Sequence, residues 1–256
     1  MIMIVDTHAH LNMEDFDYDF DHVLGRALKS DVTKILVIGT DDASNRKAIA
    51  LAEAHEMLYA TVGIHPGYVD SDQDTERLRS LINHPKVVAI GECGLDFYWR
   101  EDNKNRQIKI YEDQIKLAIE YKKPLVIHTR NSFKEAYETL IPYKGQVRGV
   151  FHCFSSDLAD ARKAIDLGFM IGIDGPITFK KNGVLKQIIE QVDLKHILVE
   201  TDSPYMTPAP NRGKRNEPGF IRFVVEKIAE IKKMDVHEVA QITRQNAYQL
   251  FHLKED

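Results

Sequence analysis

Short apolar stretches recur along the chain, and longer segments with a different hydrophobic period separate them. The stretches are rich in valine and isoleucine and mostly continuous rather than alternating with polar residues, as in strands that are buried on both faces. Eight such stretches predict eight buried strands, at residues 2–10, 34–40, 58–66, 87–95, 124–130, 149–155, 169–176 and 196–204.

The intervening segments place apolar residues at the spacing of an amphipathic helix. Ser44 is the predicted N-cap of the first of these helices, and Gly168 is the predicted C-cap of the third. The helical pattern covers residues 44–57, 106–121, 157–169, 219–234 and 235–251.

Eight strands that alternate with helices over 256 residues predict an α/β fold, a (β/α)8 TIM barrel. A doubly wound open sheet is the alternative. The barrel is favoured because the eight units have similar lengths and no glycine-rich dinucleotide fingerprint follows the first strand. No linker rich in proline, glycine or serine divides the chain, so residues 1–256 are expected to form a single TIM-barrel domain.

Composition narrows the class of protein. No apolar run approaches the ~18 residues of a membrane span, and no secretory signal is recognisable. Cys93 and Cys153 are too few for a disulfide framework and are expected to be packing residues. A cytoplasmic location without membrane contact is therefore expected. The net charge of −5 argues against non-specific coating of nucleic acid, although metal ions can still create a local positive site.

Polar side chains follow the predicted strands at the point where each strand ends. Active sites of such barrels form at the carboxyl ends of the strands. The first strand ends in VDTHAHL, where a period of two puts His8 and His10 on one face. The other strand ends carry Asp41, His65, Glu92, Asp96, His128, Arg130, His152, Asp174, Glu200 and Asp202.

Five of the eleven histidines thus fall at strand ends, together with several carboxylates. In a closed barrel these side chains converge on one axis. Imidazole and carboxylate ligands together suit zinc, manganese and similar divalent ions. About six such ligands exceed the needs of one closed four-coordinate site, which favours two ions with open positions for water and substrate.

The motifs DTHAHL, GIHP, GECGLDF, IHTR, FHCFS and ETDSP, with the loop PNRGKRNEP, resemble those of the TatD-family metal-dependent deoxyribonucleases of the amidohydrolase superfamily. The resemblance runs from Asp6 to near the C-terminus, in the order and spacing of the family. It implies metal-dependent hydrolysis of phosphodiester bonds in DNA, with exonuclease activity as the usual assignment.

The resemblance also implies ligands for two divalent cations, with zinc, magnesium and manganese left open. One ion would be held by the two histidines of the first motif and the aspartate of ETDSP, and the other by the histidines of IHTR and FHCF. Glu92 would bridge the two, where many amidohydrolases have a carboxylated lysine. The implied ligands are His8, His10, Glu92, His128, His152 and Asp202.

A two-cation site suggests how an anionic diester is attacked. Cations about 3.5–4 Å apart activate a water molecule and neutralise the phosphoryl oxygens. Asp202 is the candidate general base, because it can be both ligand and proton acceptor. Glu200 is two residues before Asp202, on the same face of the predicted strand, and can orient Asp202 or contact a further metal. His65 is not needed to fill the two sites and is assigned to the substrate phosphate or the leaving oxygen.

Cationic side chains near the strand ends are the candidate contacts for substrate phosphates. Arg130 ends the fifth strand, and the loop 210–218 after the eighth strand supplies three more cations. Its cations are Arg212, Lys214 and Arg215.

An aromatic run, Phe97, Tyr98 and Trp99, follows the fourth strand. These rings can stack on an unpaired base or pack the loop. Without a deep basic groove, the expected partner is a single-stranded or frayed DNA end rather than a long duplex. No obligate protein partner is evident.

Two other functions stay open. The same metal centre can serve another ester, such as a small phosphorylated metabolite or an aminoacyl ester, because fold and metals do not fix the substrate. A non-catalytic metal-binding or scaffold protein is the second alternative, and the carboxylates at Glu92 and Asp202 weigh against it.

Overall fold

The computed structural model describes residues 2–71 and 74–254, and its centre is one sheet of eight parallel strands. Each strand pairs with the next one in sequence, from β1 through β8. The strands are β1 Ile4–Ala9, β2 Val32–Val37, β3 Leu58–Val62, β4 Val87–Asp96, β5 Leu125–Arg130, β6 Gly149–Phe151, β7 Phe169–Ile173 and β8 Ile197–Val199. The predicted (β/α)8 barrel is therefore confirmed.

The two ends of this sheet meet just beyond β8. The Asp202 amide donates a hydrogen bond to the His8 carbonyl (2.8 Å), and the His10 amide donates one to the Ser203 carbonyl (2.7 Å). These bonds continue the parallel pairing, since Ala9 is bridged to Ser203. The barrel thus closes at the point where three predicted ligands lie: His8 in β1, His10 directly after β1, and Asp202 after β8.

Helices alternate with the strands along the described part of the chain. Among the described helices, none is long and apolar enough to cross a bilayer. The helices are α1 Phe20–Lys29, α2 Asp42–Ala54, α3 Thr75–Ile82, α4 Lys104–Tyr121, α5 Phe133–Leu140, α6 Leu158–Asp166, α7 Gly183–Gln191, α8 Ile221–Lys232 and α9 Val236–Phe251.

The start of α2 corrects one prediction. Asp41, not Ser44, is the N-cap, and its side chain accepts a hydrogen bond from the Ser44 amide (2.8 Å). The Ser44 hydroxyl accepts one from the Asp41 amide (2.9 Å), which completes a capping box. Aspartate and serine are both favoured at the N-cap, so the sequence alone did not distinguish Asp41 from Ser44, and the predicted start of α2 is three residues too late. Leu167, not the predicted Gly168, is the C-cap of α6, and Gly168 follows it with a φ of 91°, the left-handed conformation that a glycine after a helix end often adopts.

The core has two clusters of buried apolar side chains. The larger one contains residues of both the strands and the helices. The smaller one draws a side chain from every strand, with Leu250 and Phe251 of α9 packed among them, so it lies inside the ring of strands. Its strand residues are Val5, Leu36, Tyr59, Val88, Ala89, Val126, Val150 and Leu198, with Met170 packed against them.

Candidate metal centre

The six side chains predicted as metal ligands lie together at the carboxyl ends of the strands. Two belong to β1 and the residue after it, one to β4, one to β5, and two to the segments directly after β6 and β8. Five of them are buried, and His128 is partly exposed. They are His8, His10, Glu92, His128, His152 and Asp202.

Glu92 lies at the centre of this group, and its two carboxylate oxygens face different histidines. Oε2 is 3.4 Å from His8 Nε2 and 3.6 Å from His10 Nε2. Oε1 is 2.9 Å from His128 Nδ1 and 2.8 Å from His152 Nε2. The donor atoms therefore form two clusters that share one carboxylate.

The first cluster is completed by Asp202. Its Oδ1 lies 3.5 Å from His8 Nε2 and 3.3 Å from His10 Nε2, and the two histidine nitrogens are 3.2 Å apart. Burial would raise the pKa of Asp202, but the hydrogen bond from His10 and the charges of His8 and His152 hold it below its usual value. Asp202 is therefore anionic in this site.

Two observations show that these residues fit divalent cations. Imidazole nitrogens and carboxylate oxygens crowd around common points, which is the donor chemistry that zinc and manganese prefer. Burial would raise the pKa of Glu92, yet the charge of His152 and hydrogen bonds from His128 and His152 hold it well below its usual value. A buried anion shared between two clusters is suited to hold cations on both sides.

His65 lies beside the second cluster, with its Nε2 3.7 Å from Glu92 Oε1. The Gly67 amide donates a hydrogen bond to His65 Nδ1 (3.0 Å), so in the neutral ring the proton lies on Nε2. Burial lowers the pKa of His65 to about 3, which keeps the ring neutral. His65 therefore presents an N–H to the site rather than a lone pair.

Asp96 stands behind His128. Its Oδ2 is 3.1 Å from His128 Nε2, the nitrogen that points away from Glu92. A carboxylate in this place fixes the orientation of the imidazole ring and makes the ring a stronger ligand for a metal ion. The sequence placed Asp96 at a strand end but indicated no role for it, because the ring orientation appears only in the fold.

Glu200 stands behind His152 rather than in the mouth of the site. It is fully buried, with Oε1 2.5 Å from the Cys153 amide and 3.7 Å from His152 Nδ1. A Cβ on Gly172 would lie 2.6 Å from the same oxygen, so the glycine leaves room for this carboxylate. Glu200 thus lies beside His152, and with His8 and His152 it forms a group that could hold a metal ion, which is one of the two roles that the sequence predicted for it.

A buried network joins β1 to the segment that carries Asp202. Asp6 Oδ1 accepts hydrogen bonds from the amides of Thr201 (3.0 Å) and His8 (3.2 Å), and Oδ2 accepts one from the Thr201 hydroxyl (2.6 Å). Burial raises the pKa of Asp6 to about 8, and these hydrogen bonds oppose that rise. The network holds both ends of the barrel seam in register beneath the first cluster.

Two glutamines of α4 form hydrogen bonds with the backbone of segments that carry site residues. Gln114 exchanges two hydrogen bonds with the backbone of Ile64, next to His65 (2.8 and 3.0 Å). Gln107 does the same with the backbone of Asp96 (2.8 and 3.1 Å). Buried amides of this kind fix loop position, and hydrophobic patterning gives no signal for them.

The cationic loop lies partly in solvent and partly in ion pairs. Arg212 packs its guanidinium 4.1 Å from the centroid of the Phe179 ring, and Lys214 is exposed. Arg215 instead contacts Asp19 through both terminal nitrogens (2.8 and 2.9 Å). Arg215 is therefore placed to hold the loop, which differs from the phosphate contact predicted for it.

The aromatic run divides into a buried and an exposed part. Phe97 is buried, with Lys104 Nζ 4.6 Å from its ring centroid, so it packs the loop. Tyr98 and Trp99 are exposed, and Arg130 lies against them.

Comparisons with known proteins agree with this geometry. The family model described as TatD related DNase matches residues 5–252. The chain is 38% identical over 257 residues to the "uncharacterized metal-dependent hydrolase YabD" of Bacillus subtilis. This alignment covers 98% of this chain and 100% of YabD. It is 36% identical to the "uncharacterized metal-dependent hydrolase YcfH" of Escherichia coli, over 98% of this chain and 97% of YcfH.

A solved structure agrees as well. The crystal structure of YjjV, a TatD homologue from Escherichia coli, matches this fold with a TM-score of 0.92 and 32% identity, over 98% of both chains. From its sequence and its fold, the chain belongs to the family of TatD-related DNases and is a metal-dependent hydrolase.

Proposed function

We propose that this chain is a metal-dependent exodeoxyribonuclease that shortens single-stranded or frayed DNA ends with two divalent cations. The observation that supports this best is that the two carboxylate oxygens of Glu92 face different histidines. Oε2 lies 3.4 Å from His8 Nε2, and Oε1 lies 2.8 Å from His152 Nε2. A carboxylate whose two oxygens face two sets of ligands can bridge a pair of cations, and two-cation sites are a common arrangement in enzymes that hydrolyse phosphodiesters.

Each cation would have its own histidines. His8, His10 and Asp202 would hold the first cation, the histidines His128 and His152 would hold the second, and the central glutamate would contact both. When bound, the cations would lower the pKa of a water molecule and offset the charge of the phosphodiester.

The remaining catalytic and binding roles belong to Asp202 and to groups beside the two clusters. Asp202 would accept the proton of the attacking water, since its side chain is only 10% exposed and faces the first cluster. The N–H of His65 would donate to a phosphate oxygen or to the leaving oxygen. Arg130, Arg212 and Lys214 would contact phosphates of the strand.

Asp202→Asn tests the general base. Asp202 has a φ of 54°, a conformation that asparagine adopts readily, so this variant should fold normally. We expect shortening of end-labelled single-stranded DNA to fall by about 100-fold or more, because a general base contributes that much. Asp113→Asn, on α4 and outside the site, is the matched control and should keep full activity.

Two outcomes would contradict the proposal. Unchanged turnover of Asp202→Asn would exclude the base assignment. Metal-loaded wild-type protein that leaves DNA intact, but rapidly hydrolyses a small phosphate or aminoacyl ester, would favour the alternative substrate class. Chelation with EDTA should abolish the activity in either case.

A further inference from the structure

We propose that Tyr98, Trp99 and Arg130, here called the aromatic rim, form a subsite on which one unpaired base of the strand stacks beside the second cluster. This inference rests on the nuclease function proposed above and states where the enzyme grips its substrate. It also gives a reason for large aromatic side chains that the barrel leaves in solvent.

The side chains of the aromatic rim pack on one another rather than into the core. The Arg130 guanidinium lies 3.8 Å from the centroid of the Tyr98 ring and 5.3 Å from that of Trp99. The two rings meet edge-on, with centroids 4.9 Å apart and planes at 86°. Tyr98 is 53% exposed and Trp99 is 72% exposed, so ring surface is open to a ligand.

One carboxylate ties the aromatic rim to the metal centre. Asp96 Oδ1 accepts hydrogen bonds from the amides of Tyr98 (3.0 Å) and Trp99 (3.3 Å), while Oδ2 contacts His128 Nε2 (3.1 Å). A base on Trp99 would therefore lie at a fixed offset from a ligand of the second cluster.

The far end of this loop is also fastened. Arg100 Nη1 lies 2.8 Å from Asp70 Oδ2, and Asn103 donates a hydrogen bond to the same oxygen (2.6 Å). The charge of Arg100 is offset by Asp70 and by Asp102. In contrast, Arg130 has no carboxylate partner within residues 2–71 and 74–254, so its charge is available to a phosphate next to the stacked base.

The chemistry of the aromatic rim matches a strand with an unpaired base. Every base has a flat apolar face, and stacking on an aromatic side chain does not require a particular sequence. A guanidinium beside the rings adds attraction for the phosphate of the same nucleotide. A base inside a duplex has both faces covered by its neighbours and cannot stack on these rings, so the subsite favours the unpaired bases of a strand.

The only tryptophan of the chain is Trp99, so its fluorescence reports on the aromatic rim alone. We would titrate metal-loaded Asp202→Asn protein, in which cleavage is expected to be slowed by about 100-fold or more, with a short oligothymidylate and with an abasic strand of equal length and charge. We expect the oligothymidylate to quench the emission and to bind more tightly. Equal quenching by both strands, or none by either, would overturn the proposal.

Kinetics of Trp99→Ala and Arg130→Ala give a second readout. One stacked base corresponds to about a 5- to 150-fold effect on binding, so KM for oligothymidylate should rise within that range while kcat changes little. Wild-type protein acting on a strand with an abasic end should show the same loss. Arg244→Ala is the matched control, because it removes an arginine that lies over Tyr248 on α9, outside the site.

The two readouts separate this proposal from the function on which it rests. If DNA is shortened but base-bearing and abasic strands behave alike, the stacking subsite is wrong and the nuclease function stands. If DNA stays intact but Trp99 still distinguishes the two strands, the nuclease function is wrong and the subsite stands.

Discussion

Asp96 and Glu200 each stand behind a histidine of the metal centre. Asp96 lies 3.1 Å from His128 Nε2, and Glu200 lies 3.7 Å from His152 Nδ1. A hydrogen-bonded partner such as Asp96 orients the imidazole and raises its basicity, and its loss typically costs about 10- to 100-fold in metal affinity or activity. Strand-end position alone predicted the histidines, whereas these partnerships depend on ring orientation and could not be predicted from the sequence.

Asp96→Asn should weaken metal binding by about 10- to 100-fold while leaving the fold intact, because the amide no longer offers a charge to His128. Titration of the metal-free protein with zinc or manganese measures this directly. Asp113→Asn again serves as the control. An unchanged affinity would show that Asp96 serves only the loop that it caps.

Glu92→Gln and His152→Ala should differ in metal stoichiometry. Glu92 faces both clusters, so its substitution should lower occupancy at both positions. His152 faces only the second, so its loss should lower the metal content from two ions per chain toward one. Elemental analysis of the purified proteins measures these ratios, and a wild-type content of one ion would refute the two-cation proposal.

At the scale of elements, continuous apolar runs located all eight strands, because each strand of this barrel is buried on both faces. The pattern did not single out α1, α3, α5 and α7. Two of these have eight residues and one has nine, but α6, which the pattern did find, also has nine, so length does not explain the difference. The buried glutamines of α4 were also missed, since their partners lie in loops that only the fold brings close.

Gly94 in β4 shows how tightly these elements are packed. It has a φ of 131°, and an added Cβ would lie 2.1 Å from the carbonyl oxygen of His128. Gly145 also has a positive φ, of 78°, but an added Cβ would meet open space.

Gly94→Ala should therefore destabilise the fold more than Gly145→Ala does. The positive φ of Gly145 costs an alanine about 1–2 kcal/mol. Gly94 has a φ of 131°, beyond the left-handed helical region, and its added methyl group also displaces β5. Urea unfolding measures the difference in free energy. Gly94→Ala should also lose hydrolytic activity, since β5 carries His128. Equal destabilisation by the two variants would show that β5 tolerates the added methyl group.

At the scale of the whole molecule, ion pairs reinforce the seam between the first and last strands. Arg215, from the loop after β8, and Arg26 of α1 both contact Asp19. Arg26 also pairs with Glu217 at 2.7 Å. The hydrogen bond from Arg215 is the largest of the effects that lower the pKa of Asp19 from 3.8 to about 2.

This network predicts a pH dependence of stability. Since the pKa of Asp19 is lower in the folded chain, its carboxylate stabilises the fold above pH 3.8, and this contribution is lost as the pH falls toward about 2. Asp19→Asn should be less stable than wild type near neutrality, and the gap should narrow through that window. Urea unfolding at stepped pH measures it, and a constant gap would contradict the assignment.

The hydrogen bond between Thr201 and Asp6 spans 195 positions of the chain. A ribosome therefore makes the first histidines of the metal centre long before the aspartate that completes it. Every nascent or truncated chain that stops short of this point lacks an assembled catalytic centre. Closure of the barrel therefore has to precede assembly of the metal centre, and hydrolysis can begin only afterwards.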